Sequence, residues 1–197
     1  MAAQPQPRLT PEEYLALERA AESRSEYFDG HMYAMSGSSY RHFVITGNLG
    51  FGLRSAVGQR GCTVGTSDMP VLVSPRGLYT YPGVIVVCGE PRFADGSADT
   101  LLNPIVLIEV LSPSTEGHDR GFQAAQFRMI ESLQEYALVS QTEPRVEIFR
   151  RQVGGAWLLT EAIGLEQCCR FESIDCTIAL KDVYAKVVFG GEDAPAP

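Results

Sequence analysis

An acidic residue stands inside an apolar run in the middle of the chain. Glu109 interrupts the segment PIVLIEVL, which spans residues 104–111 and is otherwise apolar. A carboxyl group in such surroundings must be protonated, paired with a cation or bound to a metal ion, because an unpartnered buried charge costs several kcal/mol. The sequence therefore indicates either a functional carboxylate or a buried ion pair at this position.

Polar residues follow this apolar run at a spacing that could support chemistry. The loop SPSTEGHDRG occupies residues 112–121, and Asp119, Arg120 and Gln123 stand where a following helix would return over the end of the strand. Metal-assisted hydrolases use a buried acid, a polar loop and polar helical residues to hold an ion and orient water. The alternative is that Glu109 only bonds to a neighbouring arginine, and the spacing does not decide between the two.

The N-terminal third predicts two helices and a hairpin. The segment TPEE at residues 10–13 places Thr10 as the N-cap, a proline at the first helical position and Glu13 as the partner in a capping box. Asp29-Gly30 predicts a two-residue turn between two strands. Residues 38–57 predict a second helix despite three glycines.

The rest of the chain predicts a mixed sheet with interleaved helices. Strands are predicted, in order, at CTVGT, MPVLVS, VIVVC, PIVLIEVL, YALVS, VEIFRR, AWLLTEAI and CTIAL, with helices at FQAAQFRMI and LKDVYAKV. PIVLIEVL is long and continuously apolar, which favours a central strand covered on both faces, and MPVLV is expected to pair with VIVVC. The fold class is therefore α/β in one domain, residues 9–189, between disordered segments at 1–8 and 190–197.

Composition narrows the functional classes. The net charge is −8, and Lys181 and Lys186 are the only lysines. This balance excludes a general nucleic-acid coat protein, which would be basic, but it leaves room for an enzyme that binds DNA through a local patch and a metal ion. No apolar stretch is long enough to cross a membrane and the N-terminus has no apolar signal core, so we expect a soluble, cytoplasmic protein.

The cysteines and histidines do not have the spacing of a zinc site. The five cysteines form no C-x-x-C pair, and the three histidines are scattered along the chain. An odd number of cysteines without a signal peptide predicts buried thiols in a reducing compartment.

Several short motifs occur in an order that resembles a known family. They are EYFDG at residues 26–30, SDM at 67–69, YTYP at 79–82, IEVLSPST at 108–115, DRG at 119–121, SLQEY at 132–136 and LVSQ at 138–141. Together they resemble the Uma-type endonucleases, small bacterial proteins with the PD-(D/E)XK restriction-endonuclease fold. The resemblance covers residues 9–186. It implies a mixed sheet flanked by helices, a Mg²⁺ or Mn²⁺ ion, hydrolysis of phosphodiester bonds in DNA, and a homodimer.

Two of the four site positions that this resemblance implies are changed. Glu26 and Glu109 match the family glutamates, and Glu109 would bind the metal ion. The family aspartate after YP falls on Gly83, and the family lysine two residues after DRG falls on Gln123. Gly83 offers no oxygen ligand, and Gln123 carries no charge to stabilise the transition state. We therefore expect impaired hydrolysis. The alternative is a non-catalytic module that binds nucleic acid or protein, or a dimer partner of active relatives.

Four residues are candidates for supporting roles at this site, and two of them also have a structural interpretation. Asp68, or Asp119, could replace the lost metal ligand, although a turn cap at the start of a strand is the favoured role of Asp68. His42 and Arg120 could contact nucleic-acid phosphate, whereas His42 could also be an ordinary surface histidine.

Overall fold

A computed structural model of the chain describes residues 8–35, 37–58, 60–73, 77–94 and 96–190. The predicted terminal segments, 1–8 and 190–197, lie outside the described residues except for Arg8 and Gly190. The segment SPRG at residues 74–77, which predicts a turn between two strands, also lies outside them except for Gly77.

The predicted helices and hairpin of the N-terminal third are confirmed. Helix α1 (Pro11–Ala20) begins with the capping box, in which the Thr10 hydroxyl accepts from the Glu13 amide at 3.2 Å and the Glu13 carboxylate accepts from the Thr10 amide at 2.8 Å. Strands β1 (Ser25–Phe28) and β2 (His31–Ala34) form the hairpin. Its turn residues Asp29 and Gly30 have φ of 47° and 88°, as a tight hairpin requires. Helix α2 (Tyr40–Val57) follows.

The remaining elements alternate between strands and short helices. They are β3 (Cys62–Thr66), β4 (Val71–Leu72), β5 (Tyr79–Thr80), β6 (Val84–Cys88), β7 (Val106–Val110), α3 (Glu116–His118), a π-helical turn (Asp119–Gln123), α4 (Ala124–Phe127), β8 (Glu135–Val139), β9 (Arg145–Arg151), β10 (Trp157–Ile163), β11 (Cys168–Phe171), β12 (Cys176–Ala179) and α5 (Leu180–Val183). The predicted α/β class is confirmed.

A mixed sheet of six strands, among the described residues, forms the centre of the fold. Its order is β10-β9-β8-β7-β6-β3, with β7 and β8 parallel and the other pairs antiparallel. One face packs on α2 through Ile45, Leu49 and Leu53. The other face packs on α4 through residues such as Phe127. The PIVLIEVL segment is thus a central strand covered on both faces, as predicted.

The predicted pairing of MPVLV with VIVVC is wrong. Strand β4 pairs with β5 instead, with Val71 opposite Thr80 and Leu72 opposite Tyr79. Both edges of β6 are already occupied by β3 and β7, so β4 joins a second sheet of order β2-β1-β5-β4. This second sheet brings Glu26 on β1 and Thr80 on β5 towards the end of β7.

The prediction that the cysteines are thiols is wrong for one pair. Cys62 and Cys88 face each other at the ends of β3 and β6, with Cα atoms 4.0 Å apart, and form a disulfide. Opposite positions on antiparallel strands bring two cysteines within bonding distance. Cys169 and Cys176 are buried thiols, as expected, whereas the Cys168 thiol is exposed, contrary to the prediction. None of the described helices has the length and apolar character needed to cross a membrane.

Candidate functional site

A cleft of about 730 Å³ lies where β6 begins and β7 ends, between α2 and the π-helical turn. It brings together most of the residues that the sequence singled out: Glu26, His42, Asp68, Gly83, Glu109, Asp119 and Gln123. Arg120 is not among its lining residues. The structure thus assembles the predicted site from segments that are up to about 100 residues apart in the chain.

Glu109 lies at the floor of the cleft and is held by two uncharged donors. Its Oε1 accepts from Gln123 Nε2 at 2.9 Å, and its Oε2 accepts from the Gly83 amide at 3.2 Å. Among the described residues, Glu109 has no ion pair with an arginine. The alternative prediction, that Glu109 forms an ion pair with a neighbouring arginine, is therefore wrong.

The environment favours the protonated form of Glu109. Burial, followed by the charges of Asp119 and Glu26, raises the pKa of Glu109 well above its usual value, and the bonds from Gly83 and Gln123 only partly oppose this. Burial also raises the pKa of Asp119, although its Oδ2 accepts from Thr115 Oγ1 at 2.8 Å. Acids crowded in this way without a cation repel one another.

Gly83 approaches β7 so closely that its lack of a side chain affects the site directly. A Cβ atom at this position would lie 3.2 Å from the Ile108 carbonyl oxygen and 3.9 Å from Glu109 Oε2. An aspartate here would thus begin its side chain beside the Glu109 carboxylate, after a shift of a few tenths of an ångström. Glycine leaves Glu109 without a neighbouring carboxylate at this point.

Gln123 links both halves of the site through Thr80. Its Nε2 donates to Glu109 and also to Thr80 Oγ1, at 3.2 Å, and the Thr80 hydroxyl donates to Glu26. Gln123 ends the π-helical turn, a type of irregularity that is frequent at functional sites. Sequence reasoning missed Thr80, although it lies within the YTYP motif that supported the family resemblance.

The three further candidate residues have different surroundings. His42 is half-buried in the wall of the cleft, with Nδ1 3.4 Å from Thr46 Oγ1, and burial lowers its pKa. Asp68 is exposed at the mouth of the cleft, directly after Ser67, whose amide and hydroxyl both donate to the Gly83 carbonyl oxygen at 3.3 Å. Arg120 pairs with Glu116 at 2.7 Å and with Glu147 at 2.6 Å.

Sequence reasoning also missed a glutamine and the aromatic mouth of the cleft. Gln141 accepts from Ser39 Oγ at 2.6 Å and donates to the Leu111 carbonyl oxygen at 2.7 Å, so it ties the start of α2 to the end of β7. Exposed apolar side chains line the cleft at Tyr33, Met35 and Phe43, and the exposed ring of Tyr40 lies beside that of Phe43. The spacing of the apolar residues of α2 could have indicated these aromatic side chains. Ile45, Leu49 and Leu53 recur on one face of the helix, and Tyr40 and Phe43 lie off that face.

The sequence matches the model of the Uma2 family, described as "Putative restriction endonuclease", over residues 11–172. The chain belongs to the Uma2 family. The resemblance drawn from the motifs is confirmed. Because the matched residues include every element that lines the cleft, the site belongs to the shared Uma2 domain.

Two proteins of Synechocystis sp. (strain ATCC 27184 / PCC 6803 / Kazusa) are similar over most of their length. "Uncharacterized protein slr1290" is 34% identical over 185 residues, 94% of this chain and 96% of the relative. "Uncharacterized protein sll1609" is 37% identical over 156 residues, 79% of this chain and 88% of the relative. This degree of similarity places all three in one family.

A solved structure shares the fold. It is the crystal structure of "a putative nuclease belonging to DUF820" from Anabaena variabilis ATCC 29413, with a TM-score of 0.74 and 19% identity. The match covers 91% of this chain and 99% of that chain. The restriction-endonuclease-like fold predicted from the sequence is confirmed.

The donor set of this Uma2 site does not suit a divalent ion. Hard cations such as Mg²⁺ need several oxygen ligands, usually including more than one carboxylate. Both Glu109 oxygens accept hydrogen bonds from N–H groups, and one oxygen of Glu26 accepts from Thr80. Within the described residues, no three acids, histidines or cysteines are grouped closely enough to hold a metal ion.

The raised pKa of Glu109 predicts how stability depends on pH. Carboxyl groups in the unfolded chain have a pKa of about 4, so between that value and the raised pKa of Glu109 the folded state binds more protons than the unfolded state. Glu109 therefore makes folding less favourable as pH rises through this window. We expect Glu109→Gln to unfold at a higher urea concentration than the wild type at about pH 8 and to lose this advantage at about pH 4.

Glu166→Gln is the matched control, because Glu166 is exposed in the turn after β10. Its urea midpoint should follow that of the wild type across the same pH range. A constant difference between Glu109→Gln and the wild type from acid to neutral pH would show that Glu109 does not titrate in this window.

Proposed function

We propose that this Uma2 protein is a nuclease-fold protein in which metal-dependent hydrolysis of nucleic-acid phosphodiester bonds is impaired. The single observation that carries the proposal is the pairing of Glu109. Its carboxyl group is bonded to the Gln123 amide and lies beside Gly83, where the motif position calls for an aspartate. Family membership supports the nuclease fold, and these two residues support the loss of activity.

Weak metal binding is the first part of the proposal. The family resemblance implies Mg²⁺ or Mn²⁺ as the cofactor and DNA as the substrate. With glycine at position 83, Glu109 is the carboxylate at the floor of the cleft, so an ion there would have fewer charged oxygen ligands. Because the pKa of Glu109 is raised, its carboxyl group must also release a proton before it can bind an ion. We therefore expect the affinity for either ion to be low.

The lack of a cation near the reacting phosphate is the second part. A lysine at position 123 would stabilise the charge that develops on the phosphate, and Gln123 supplies only a polar N–H group that is already bonded. No lysine or arginine is among the described residues that line the cleft. Arg120 is engaged by Glu116 and Glu147 instead.

A second candidate function is a non-catalytic binding module, and the exposed rim of the cleft favours it. Tyr33 and Phe43 line the cleft and are exposed, and the exposed ring of Tyr40 lies beside Phe43, with the two ring centroids 6.3 Å apart. Exposed aromatic rings can stack on nucleobases or pack on a protein partner. Binding without cleavage is the result that distinguishes this candidate from a working nuclease.

The test is a cleavage assay on single- and double-stranded DNA and RNA with Mg²⁺ or Mn²⁺. We expect wild-type turnover to be no higher than that of Glu109→Ala, and calorimetric titration with Mn²⁺ to show no saturation in the micromolar range. Binding of the same nucleic acids is measured by fluorescence anisotropy in parallel. Metal-dependent cleavage by the wild type that Glu109→Ala abolishes would overturn the proposal.

A further inference from the structure

Strand β10 is an edge of the six-stranded sheet with an apolar surface open to solvent. Its seven residues pair with β9 in unbroken register, from Trp157 opposite Arg151 to Ile163 opposite Arg145. No described strand pairs with its other side. The side chains of Leu158, Leu159 and Ile163 are 47%, 44% and 55% exposed. Large apolar side chains are therefore exposed on both faces of an edge strand.

The hydrogen bonds that flank β10 show which of its backbone groups point outwards. The Gln152 amide donates to the Ala156 carbonyl, and the Gly164 amide donates to the Pro144 carbonyl, so the even-numbered positions of this ladder bond to β9. Antiparallel ladders alternate, so the odd-numbered positions of β10 direct their N–H and C=O groups away from the sheet. Leu159 and Glu161 are the central pair of these outward positions.

The usual protections of an edge strand are missing from β10. It contains no proline, no lysine and no break in register that would indicate a bulge. Its single charged side chain, Glu161, is bonded to Arg145 of the neighbouring strand. A long, regular, apolar edge of this kind is a template for pairing with another strand.

We propose that two copies of this chain pair through β10, antiparallel about a two-fold axis at Thr160. In this register Leu159 lies opposite Glu161 of the second copy, Trp157 lies opposite Ile163, and all seven residues are paired. The two Thr160 side chains meet at the axis as a non-hydrogen-bonded pair, a favourable cross-strand combination. The six-stranded sheet then continues from one copy into the other.

The position of the Glu161 charge and the number of paired residues both favour this register over the neighbouring ones. Moving the axis to Glu161 places two carboxylates directly opposite each other, which is destabilising, and leaves Trp157 and Leu158 unpaired. Moving the axis to Leu159 places Glu161 opposite Trp157 and leaves Ala162 and Ile163 unpaired. Only the axis at Thr160 separates the like charges and uses the whole strand.

The terminal segments of the chain are poor alternatives as the pairing strand. Residues 1–7, MAAQPQP, and residues 191–197, GEDAPAP, each carry prolines at alternate positions. Proline has no N–H group for the ladder, so alternate prolines remove the donors on one edge of a strand. A second copy of β10 offers donors and acceptors at every position.

Light scattering coupled to size-exclusion chromatography tests the proposal with a charge-reversal pair. We expect the wild type to be a dimer. Leu159→Glu places two like-charged pairs against Glu161 and should raise the dimer dissociation constant about tenfold or more. Leu159→Lys removes the same apolar surface but faces Glu161 with an opposite charge, so it should remain a dimer. A monomeric wild type, or equal weakening by both variants, would overturn the proposal.

A cysteine at the proposed axis tests the register independently. Opposite residues of a non-hydrogen-bonded pair have Cα atoms about 4.5 Å apart, within the range of a disulfide. Thr160→Cys should therefore give a covalent dimer on mild oxidation, seen on a non-reducing gel. Wild type measures the background from the native cysteines, and Thr177→Cys, exposed on β12, measures random collisions. Cross-linking of Thr160→Cys at the level of Thr177→Cys would contradict the register.

Discussion

The double variant Gly83→Asp/Gln123→Lys is expected to cleave DNA with Mg²⁺ or Mn²⁺ at least about a hundredfold faster than the wild type. The aspartate begins its side chain 3.9 Å from Glu109 Oε2, so the two carboxylates can share one ion. The lysine replaces an amide that already lies 2.9 Å from Glu109 Oε1. The measurement is the rate of nicking of a supercoiled plasmid at fixed ion concentration.

The two substitutions support each other electrostatically. An ammonium group beside Glu109 favours the ionised carboxylate, which lowers the pKa that burial raises in the wild type. The ionised carboxylate and the new aspartate then bind the ion, and the lysine is placed to stabilise charge on the phosphate. Either single variant should cleave much more slowly than the double variant, because Gly83→Asp alone adds an acid to Glu109, Asp119 and Glu26 without a cation, and Gln123→Lys alone adds no oxygen ligand.

The matched control for this experiment is Gly83→Asn/Gln123→Lys. Asparagine has the shape of aspartate and meets the same 3.2 Å contact between its Cβ and the Ile108 carbonyl oxygen, but it is a neutral ligand. It should fold as the restored variant does and remain inactive. Adding Glu109→Gln to the restored variant should also abolish cleavage. If the restored variant is folded, binds Mn²⁺ and still does not cut, the proposed impairment does not lie in these two residues.

Local sequence signals predicted most of the longer elements of this fold, but not the short strands β5 and β11. The capping box at Thr10 and the turn at Asp29-Gly30 depend on contacts between near neighbours, and both are present as predicted. The apolar run around Glu109 identified the central strand because a strand covered on both faces is apolar at successive positions. These signals do not depend on distant parts of the chain.

Long-range partners could not be predicted in the same way. The pairing of β4 with β5 follows from the occupation of both edges of β6, which only the complete sheet determines. The bond between Cys62 and Cys88 requires the register of β3 on β6. The motif positions identified Gly83 and Gln123, but the hydroxyl of Thr80 that connects Gln123 to Glu26 appeared only once the second sheet was placed.

The SLQEY motif contains Glu135, which has a structural role, and we expect its removal to lower the stability of the fold substantially. Glu135 is fully buried, and its carboxylate accepts from Arg150 Nε at 2.8 Å and from the backbone amides of Glu172 and Ser173 at 3.0 Å each. These bonds fasten the β11–β12 turn to the end of β8 and β9. A family motif thus includes a residue that holds the sheet together outside the cleft.

Glu135→Ala is expected to lower the free energy of unfolding by about 3–5 kcal/mol, because it leaves a largely buried arginine and two amide groups without this partner. Urea denaturation followed by circular dichroism measures the change. Glu172→Ala is the matched control, since it removes the other carboxylate that pairs with Arg150, at 2.9 Å, but from a side chain that is 55% exposed. An exposed ion pair contributes about 0–1 kcal/mol. Equal losses in the two variants would show that burial of Glu135 does not determine its contribution to the free energy of unfolding.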